Sequence, residues 1–377
     1  MAQSTPEMSL SEGRNTHKSL SGACNDFANA FYKEVSLMEN GNIISSPLSI
    51  HMILSLLSHG AEAETLNELT ACLYHDNVHS IKEEYKGLLS SLNVNGTDLV
   101  PEFSLISTNM YKSLIMSLNF KNNADAAEKI NTWVKKVTMD KISDLVSADD
   151  FDEFTKMVLV NGIYFHGHWL HAFNAKDTHK KAFHLTKTEK KFVPMMFKKS
   201  KYNYGEMSNL NAKFIEIPYM NEDIVMTVIL PNEIDGLQFL HTNFNWEILA
   251  KANRSMNEIE LYLPKFKFEY TMNLENILRK IGANAMFEDK ANFNRMSEIP
   301  LKVSKVLHKA IIEVNEEGTE AAAATAVHMR LRRMITLPQQ FSVDRPFMFI
   351  IEHKPSGLPL FVGSVKDIEI PPERDEL

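Results

Sequence analysis

The sequence predicts an α+β protein on three observations. Apolar residues recur at helical spacing in the first part of the chain, they gather into short β-prone runs in the later part, and no repeat or low-complexity linker divides the two. Phe27, Phe31 and Val35 share one helix face, and Met52, Leu54, Leu56 and Leu57 recur similarly, so residues 20–92 read as mostly helical. Alternation from Phe103 to Tyr111 predicts a strand. Ala124 to Val146 reads as one long amphipathic helix through Ile130, Trp133, Val134 and Val137. Met157-Val-Leu-Val-Asn-Gly-Ile-Tyr-Phe165 is nearly continuous in apolar character, as a strand buried within a large sheet requires. Phe214–Tyr219, Ile224–Leu230, Glu258–Leu263, Phe347–Ile351 and Leu360–Val365 complete the predicted strands, each ending near Pro, Gly, Asn or Asp.

Composition narrows the function classes. With 377 residues, 44% hydrophobic, the chain can bury a large core, and one interleaved domain over residues 1–377 is expected. A net charge of −8 gives no basic footprint for nucleic acid. No run of about 18 apolar residues offers a membrane span. Cys24 and Cys72 lack the spacing of a disulfide framework, zinc site or redox motif and are expected to be buried free thiols. Of His166, His168 and His171, two have the period-two spacing that would share a strand face, but no carboxylate or cysteine lies nearby in sequence, so no metal or cofactor is expected. No nucleophile-elbow motif supports a catalytic triad.

The ends of the chain suggest different compartments. Residues 1–18 lack the apolar centre of a secretory signal and are expected to be flexible. Residues 371–377, expected to be an exposed tail, close with Arg374-Asp-Glu-Leu377, a near variant of the endoplasmic reticulum retrieval signal. Asn95-Gly-Thr97 and Asn253-Arg-Ser255 are candidate N-glycosylation acceptors. The expectation is therefore a secreted or endoplasmic reticulum protein, with the cytoplasm as the alternative.

The segment from Glu313 to Arg333 is chemically the most informative. Four alanines, Ala321 to Ala324, beside glutamates have helical propensity, yet Gly318-Thr319 breaks the pattern and no apolar stripe could dock a helix. Arg330-Leu-Arg-Arg333 follows. Residues 316–340 therefore read as an exposed loop carrying a basic protease recognition site.

Around this segment lie Asn42-Ile-Ile-Ser-Ser-Pro-Leu-Ser-Ile50, INTWV at 130–134, VLVNGIYFHGHW at 158–169, LPKFKFE at 263–269, HKAIIEVNEEGTEAAAATA at 308–326 and FSVDRPFMFII at 341–351. In that order and spacing, the chain resembles the serpins, the family of serine protease inhibitors. The resemblance implies a large central β-sheet, two smaller sheets, surrounding helices and an exposed reactive loop, in a protein acting as a monomer and not an enzyme. It also implies a suicide-substrate mechanism. A target serine protease attacks the loop, an acyl-enzyme forms, and the cut loop enters the central sheet as a new strand that carries the protease away before hydrolysis.

This role accounts for the alanines. Thr319, Ala321, Ala323 and Thr325 would alternate onto one face of the added strand and Glu320, Ala322 and Ala324 onto the other, with Gly318 supplying freedom to bend. Bulk there would overpack the sheet, at about 1–3 kcal/mol. Glu316 and Glu317 open this hinge. By resemblance, Ser46, Ser49, Asn161 and His308 form a polar cluster controlling sheet opening. Trp169 and a Lys265–Glu316 ion pair mark where the loop first enters.

Arg330, Arg332 and Arg333 fit the Arg-x-(Lys/Arg)-Arg pattern of furin-like proprotein convertases, placing the reactive bond between Arg333 and Met334. Counting from Gly318 at the commonest loop length places it instead between Arg332 and Arg333, which suits a trypsin-like protease. One departure stands out: by resemblance the strand ending at Tyr111 is followed by a strand at Ile115–Phe120, yet only Lys112-Ser-Leu114 joins the two, where serpins have a longer connection containing a helix. That shortening gives weight to a third reading, a non-inhibitory serpin acting as a binding or chaperone-like protein.

Overall fold

The computed structural model describes residues 19–75, 83–87, 116–165, 167–317 and 339–369. Its first part is helical: α1 (Leu20–Met38), α2 (Pro47–Gly60) and α3 (Ala63–Cys72), with the short strand β1 (Ile43–Ser45) between α1 and α2. Ser19 caps α1 by accepting from the Gly22 N–H. Ser46 caps α2, and Pro47 fills its first turn, where a missing N–H costs nothing. Phe27, Phe31 and Val35 are fully buried, as their spacing predicts. Cys24 and Cys72 are both buried and free.

α4 covers Asn123–Val137 and is shorter than the predicted helix. Thr138 caps it, and the chain then turns through Met139 and Asp140 at positive φ of 48° and 62°. Residues 141–156 return as a linker rather than continuing the helix. Its Ile142, Leu145 and Val146 fall into the same apolar cluster as α4, which is why the periodicity runs on past the helix end. Met116–Asn119 likewise form no strand, against expectation. Leu118 and Phe120 are instead held by packing against that same cluster. The strand expected at 103–111 and the shortened connection lie outside the described residues.

The remaining strands are β2 (Met157–Phe165), β3 (His179–His184), β4 (Lys190–Met207), β5 (Ala212–Pro218), β6 (Ile224–Pro231), β7 (Arg254–Pro264), β8 (Phe266–Asn273), β9 (Val303–Val314), β10 (Gln339–Ser342), β11 (Phe347–His353) and β12 (Leu358–Val365). Helices α5 (Leu237–Asn243), α6 (Trp246–Lys251) and α7 (Glu275–Lys280) are interspersed. The described strands of the central sheet run β2-β9-β8. The second sheet runs β1-β12-β11-β6-β5-β4-β7-β10, with β3 paired to β4.

Two smaller sheets were expected; they are one continuous hydrogen-bonded layer because β4 belongs to both. Its start, Lys190–Met195, pairs with β3, Met195–Gly205 pairs with β7, and Asn203–Met207 pairs with β5. The centre of that layer, β6, β11 and β12, is buried along its whole length. β10 begins at Gln339, pairing in parallel with Ile259 of β7, so Gln339 and Gln340, expected within the loop at 316–340, lie in a strand, while residues 318–338 of that expected loop lie outside the described residues.

Candidate functional site

Two places on the central sheet concern the expected mechanism: the seam between β2 and β9, and the point where the chain leaves β9. β2 and β9 are parallel and directly paired, from Val158 opposite Lys305 to Phe165 opposite Ile312. Strand alternation gives each two faces. Leu159, Asn161 and Ile163 of β2, with Val306, His308 and Ala310 of β9, face the core beneath α2. Val158, Val160 and Tyr164, with Leu307 and Ile311, face α4 and its linker.

On the core side, Ser46, Ser49, Asn161 and His308 come together, all at most 5% exposed. The Ser46 backbone N–H donates to His308 Nε2 at 3.3 Å, and Ser46 Oγ donates to the Leu360 carbonyl at 2.7 Å. Ser49 Oγ has two acceptors for one proton, the Ser46 carbonyl at 3.0 Å and Asn161 Oδ1 at 3.2 Å. Because His308 Nε2 accepts, a neutral ring carries its proton on Nδ1. Burial pushes the His308 pKa down to about 3, so the ring is neutral at physiological pH. Neither His308 Nδ1 nor Asn161 Nδ2 has a hydrogen-bond partner among the described residues. The serine that caps α2 is thus also the serine that holds β9.

At the end of β9 four groups grip the departing chain. Trp169 Nε1 donates to the Asn315 carbonyl at 2.9 Å, the Phe173 N–H to the Glu316 carbonyl at 3.2 Å, and Thr178 Oγ1 to Glu316 Oε1 at 2.9 Å. Lys265 Nζ reaches Glu316 Oε2 at 2.7 Å, joining the ion pair expected from the sequence. Burial alone would raise the Glu316 pKa, but its bonds to Lys265 and Thr178 outweigh that and hold it below the usual carboxylate range. Trp169 stacks on Tyr219, with ring centres 4.5 Å apart and planes 12° apart. Thr178, Phe173 and Tyr219 were not singled out in the sequence. One of the contacts is backbone and the others carry no motif, so no signal could have marked them.

Gly318 to Thr325, Arg330, Arg332, Arg333, Met334 and Asn95 lie outside the described residues, while Glu317 is exposed just before them. Asn253 is exposed between α6 and β7. No cluster of metal-ligating side chains occurs among the described residues, and no helix there is long and apolar enough to cross a membrane.

The profile of the serpins, serine protease inhibitors, matches residues 22–368. The chain belongs to the serpin family. Leukocyte elastase inhibitor from Bos taurus is 35% identical over 349 residues, spanning 86% of this chain and 92% of that protein. Human serpin B8 is 35% identical over 363 residues, 89% of this chain and 96% of that one. The crystal structure of serpin48 from the insect Tenebrio molitor superimposes with a TM-score of 0.81 at 30% identity, covering 95% of this chain and all of that one. This serpin therefore has the serpin fold and belongs to a family of inhibitors, not enzymes, whose members form covalent complexes with target serine proteases. In the bovine alignment this chain supplies about 324 residues to 349 positions, so about 25 positions of the relative have no counterpart.

Proposed function

We propose that this serpin is a suicide-substrate inhibitor that traps its protease by inserting the loop after β9 between β2 and β9. The observation that carries the reading is the parallel pairing of those two strands. A segment that leaves β9 and reverses runs antiparallel to β9, and so also to β2. Insertion would replace one parallel ladder by two antiparallel ones, and parallel pairing is the less stable per residue. The uninserted state is then held by a barrier rather than by depth. The small side chains at 319–325 suit that strand, and Glu316, gripped at the point of departure, would be the first residue released.

In the reaction, the target's serine oxygen attacks the carbonyl carbon of Arg333, and the peptide bond to the Met334 nitrogen breaks. The new amino terminus leaves, and Arg333 remains esterified to the protease. Insertion must outrun attack by water on that ester. Arg330, Arg332 and Arg333 together favour a furin-like proprotein convertase. The alternative is a trypsin-like enzyme cutting after Arg332. The shortfall of about 25 aligned positions supports the shortened connection at Lys112–Leu114 and keeps the non-inhibitory reading in play.

Incubation with furin and, separately, trypsin tests the proposal, with denaturing electrophoresis and mass spectrometry of the cut. A denaturant-resistant complex with furin, cut after Arg333, is expected. A complex with trypsin alone, cut after Arg332, removes the convertase but keeps the mechanism. Complete cleavage without any complex rejects inhibition.

A further inference from the structure

Residues 83–87 form a single helical turn held against α1 and α2. Tyr85 is its anchor: fully buried, it shares the main apolar cluster with Leu20, Cys24, Leu48 and Met52. Glu84 Oε2 accepts from the Leu20 N–H at the start of α1 at 2.9 Å, and Glu84 Oε1 lies 3.6 Å from His75 Nε2. Glu83 and Lys86 pair with each other on the exposed side. The polar contacts that fasten the turn to the body therefore pass through ionisable side chains.

His51 of α2 decides the state of the deepest contact. Its Nε2 lies 2.9 Å from the Leu73 carbonyl, which only accepts, so the neutral ring carries its proton on Nε2. Nδ1 must then accept from the Tyr85 hydroxyl. That hydroxyl is also hydrogen-bonded to Cys24 of α1. Around the ring, α1 presents Cys24 and the Phe27 ring, edge-on with centres 5.4 Å apart. The chain after α3 presents the Leu73 carbonyl and His75, and the turn presents Tyr85 and Glu84, whose carboxylate is taken up by Leu20 and His75. Among the described residues no carboxylate bonds to the His51 ring. A second proton would thus turn the acceptor that Tyr85 uses into a donor and place a charge in an apolar setting.

We propose that His51 makes the docking of residues 83–87 acid-sensitive, so that in mildly acidic solution this turn releases Tyr85 and uncovers the α1–α2 surface around Cys24 while the rest of the fold stays closed. Burial holds the His51 pKa at about 4 while the turn is docked; released, the ring returns to its ordinary 6.5. Docking favours the neutral ring, so release grows as pH falls, by about tenfold between pH 7.5 and pH 5.5. A charge on His75 acts the other way, because it strengthens the contact with Glu84. The two histidines therefore carry opposite signs.

Amide hydrogen exchange of the intact protein at pH 7.5 and pH 5.5, each corrected for the intrinsic rate, reads this opening. Residues 83–87 are expected to exchange faster than β6, β11 and β12 at both pH values and to lose about tenfold of their protection at the lower one. His51→Gln, whose amide still donates to Leu73, should abolish that loss, while His75→Gln should keep or enlarge it. Protection of residues 83–87 that does not change with pH overturns the proposal. So does protection equal to that of the three strands, which would mean that the turn opens only with the whole fold. A pH effect that survives His51→Gln, or disappears in His75→Gln, assigns the sensitivity elsewhere and overturns it too. Urea midpoints establish that the variants fold, and a His51→Gln protein that does not is replaced by His51→Asn for the same comparison.

Discussion

Asn161 and His308 stand opposite each other across the parallel register of β2 and β9, and each is bonded to a different serine in the first turn of α2. Ser49 holds the strand that carries Asn161, and Ser46 the strand that carries His308. A rigid helix cannot keep both bonds once the strands part. This single turn of α2 therefore spans the seam.

Ser49→Ala tests that tie. It leaves Asn161 Oδ1 buried without its donor, and an unsatisfied buried acceptor costs about 1–3 kcal/mol. Lower stability in urea together with faster uptake of a synthetic peptide with the sequence of residues 318–327 is the expected outcome. Lower stability with unchanged uptake would make the serine structural only.

The hinge predicts a change of outcome without a change of target. Ala321→Arg should leave cleavage by the protease intact but slow insertion, since overpacking of about 1–3 kcal/mol corresponds to roughly a five- to 150-fold slowing. More inhibitor would then be consumed per protease inactivated, as measured by titrating protease activity against inhibitor. An unchanged ratio would contradict insertion of this segment.

Acidification should weaken the native state through three buried histidines. Burial lowers the pKa of His51 and His241 to about 4 and of His308 to about 3, so all three stay neutral in the fold. Unfolded, each takes up a proton below its ordinary value of 6.5. The stability they contribute is complete above that value and is lost as pH falls toward their folded values. Near pH 5 three protons are taken up on unfolding, a slope of about 4 kcal/mol per pH unit. Urea midpoints measured from pH 7 to pH 5 check this, and His241→Gln should remove about a third of the slope.

Glu316 behaves in the same direction at lower pH. Its depressed pKa means that its bonds to Lys265 and Thr178 stabilise the fold above the ordinary carboxyl value and are lost as pH falls through the folded value. Glu316→Gln should cost about 1 kcal/mol at neutral pH, the half-exposed Lys265 limiting the effect, with the difference from wild type closing as pH falls below the usual carboxylate range.

Much of the strand content was legible because burial on both faces leaves an uninterrupted apolar run, as in β2, β6, β11 and β12. β4 was not, because Lys190, Lys191, Lys198, Lys199 and Lys201 break its apolar run. The helix misread beyond Val137 shows the reverse failure: Ile142 and Leu145 keep helical spacing while packing from a turn. At the site, Ser46, Ser49, Asn161, His308 and the Lys265–Glu316 pair could be named through family likeness, and the structure brings each group together. Thr178 and the Phe173 N–H could not be named, since contacts made by a backbone group or an isolated hydroxyl leave no pattern in a sequence. The same holds for the Lys305–Asp150 pair, whose partners are 155 residues apart.

The central claim is that the cut loop becomes a strand between β2 and β9. Its most direct measurement is amide hydrogen exchange across residues 158–165 and 305–312, together with the thermal midpoint, before and after the loop is cleaved between Arg330 and Met334. Insertion predicts a higher midpoint and slower exchange in both strands after cleavage. An unchanged midpoint with unchanged exchange would contradict it.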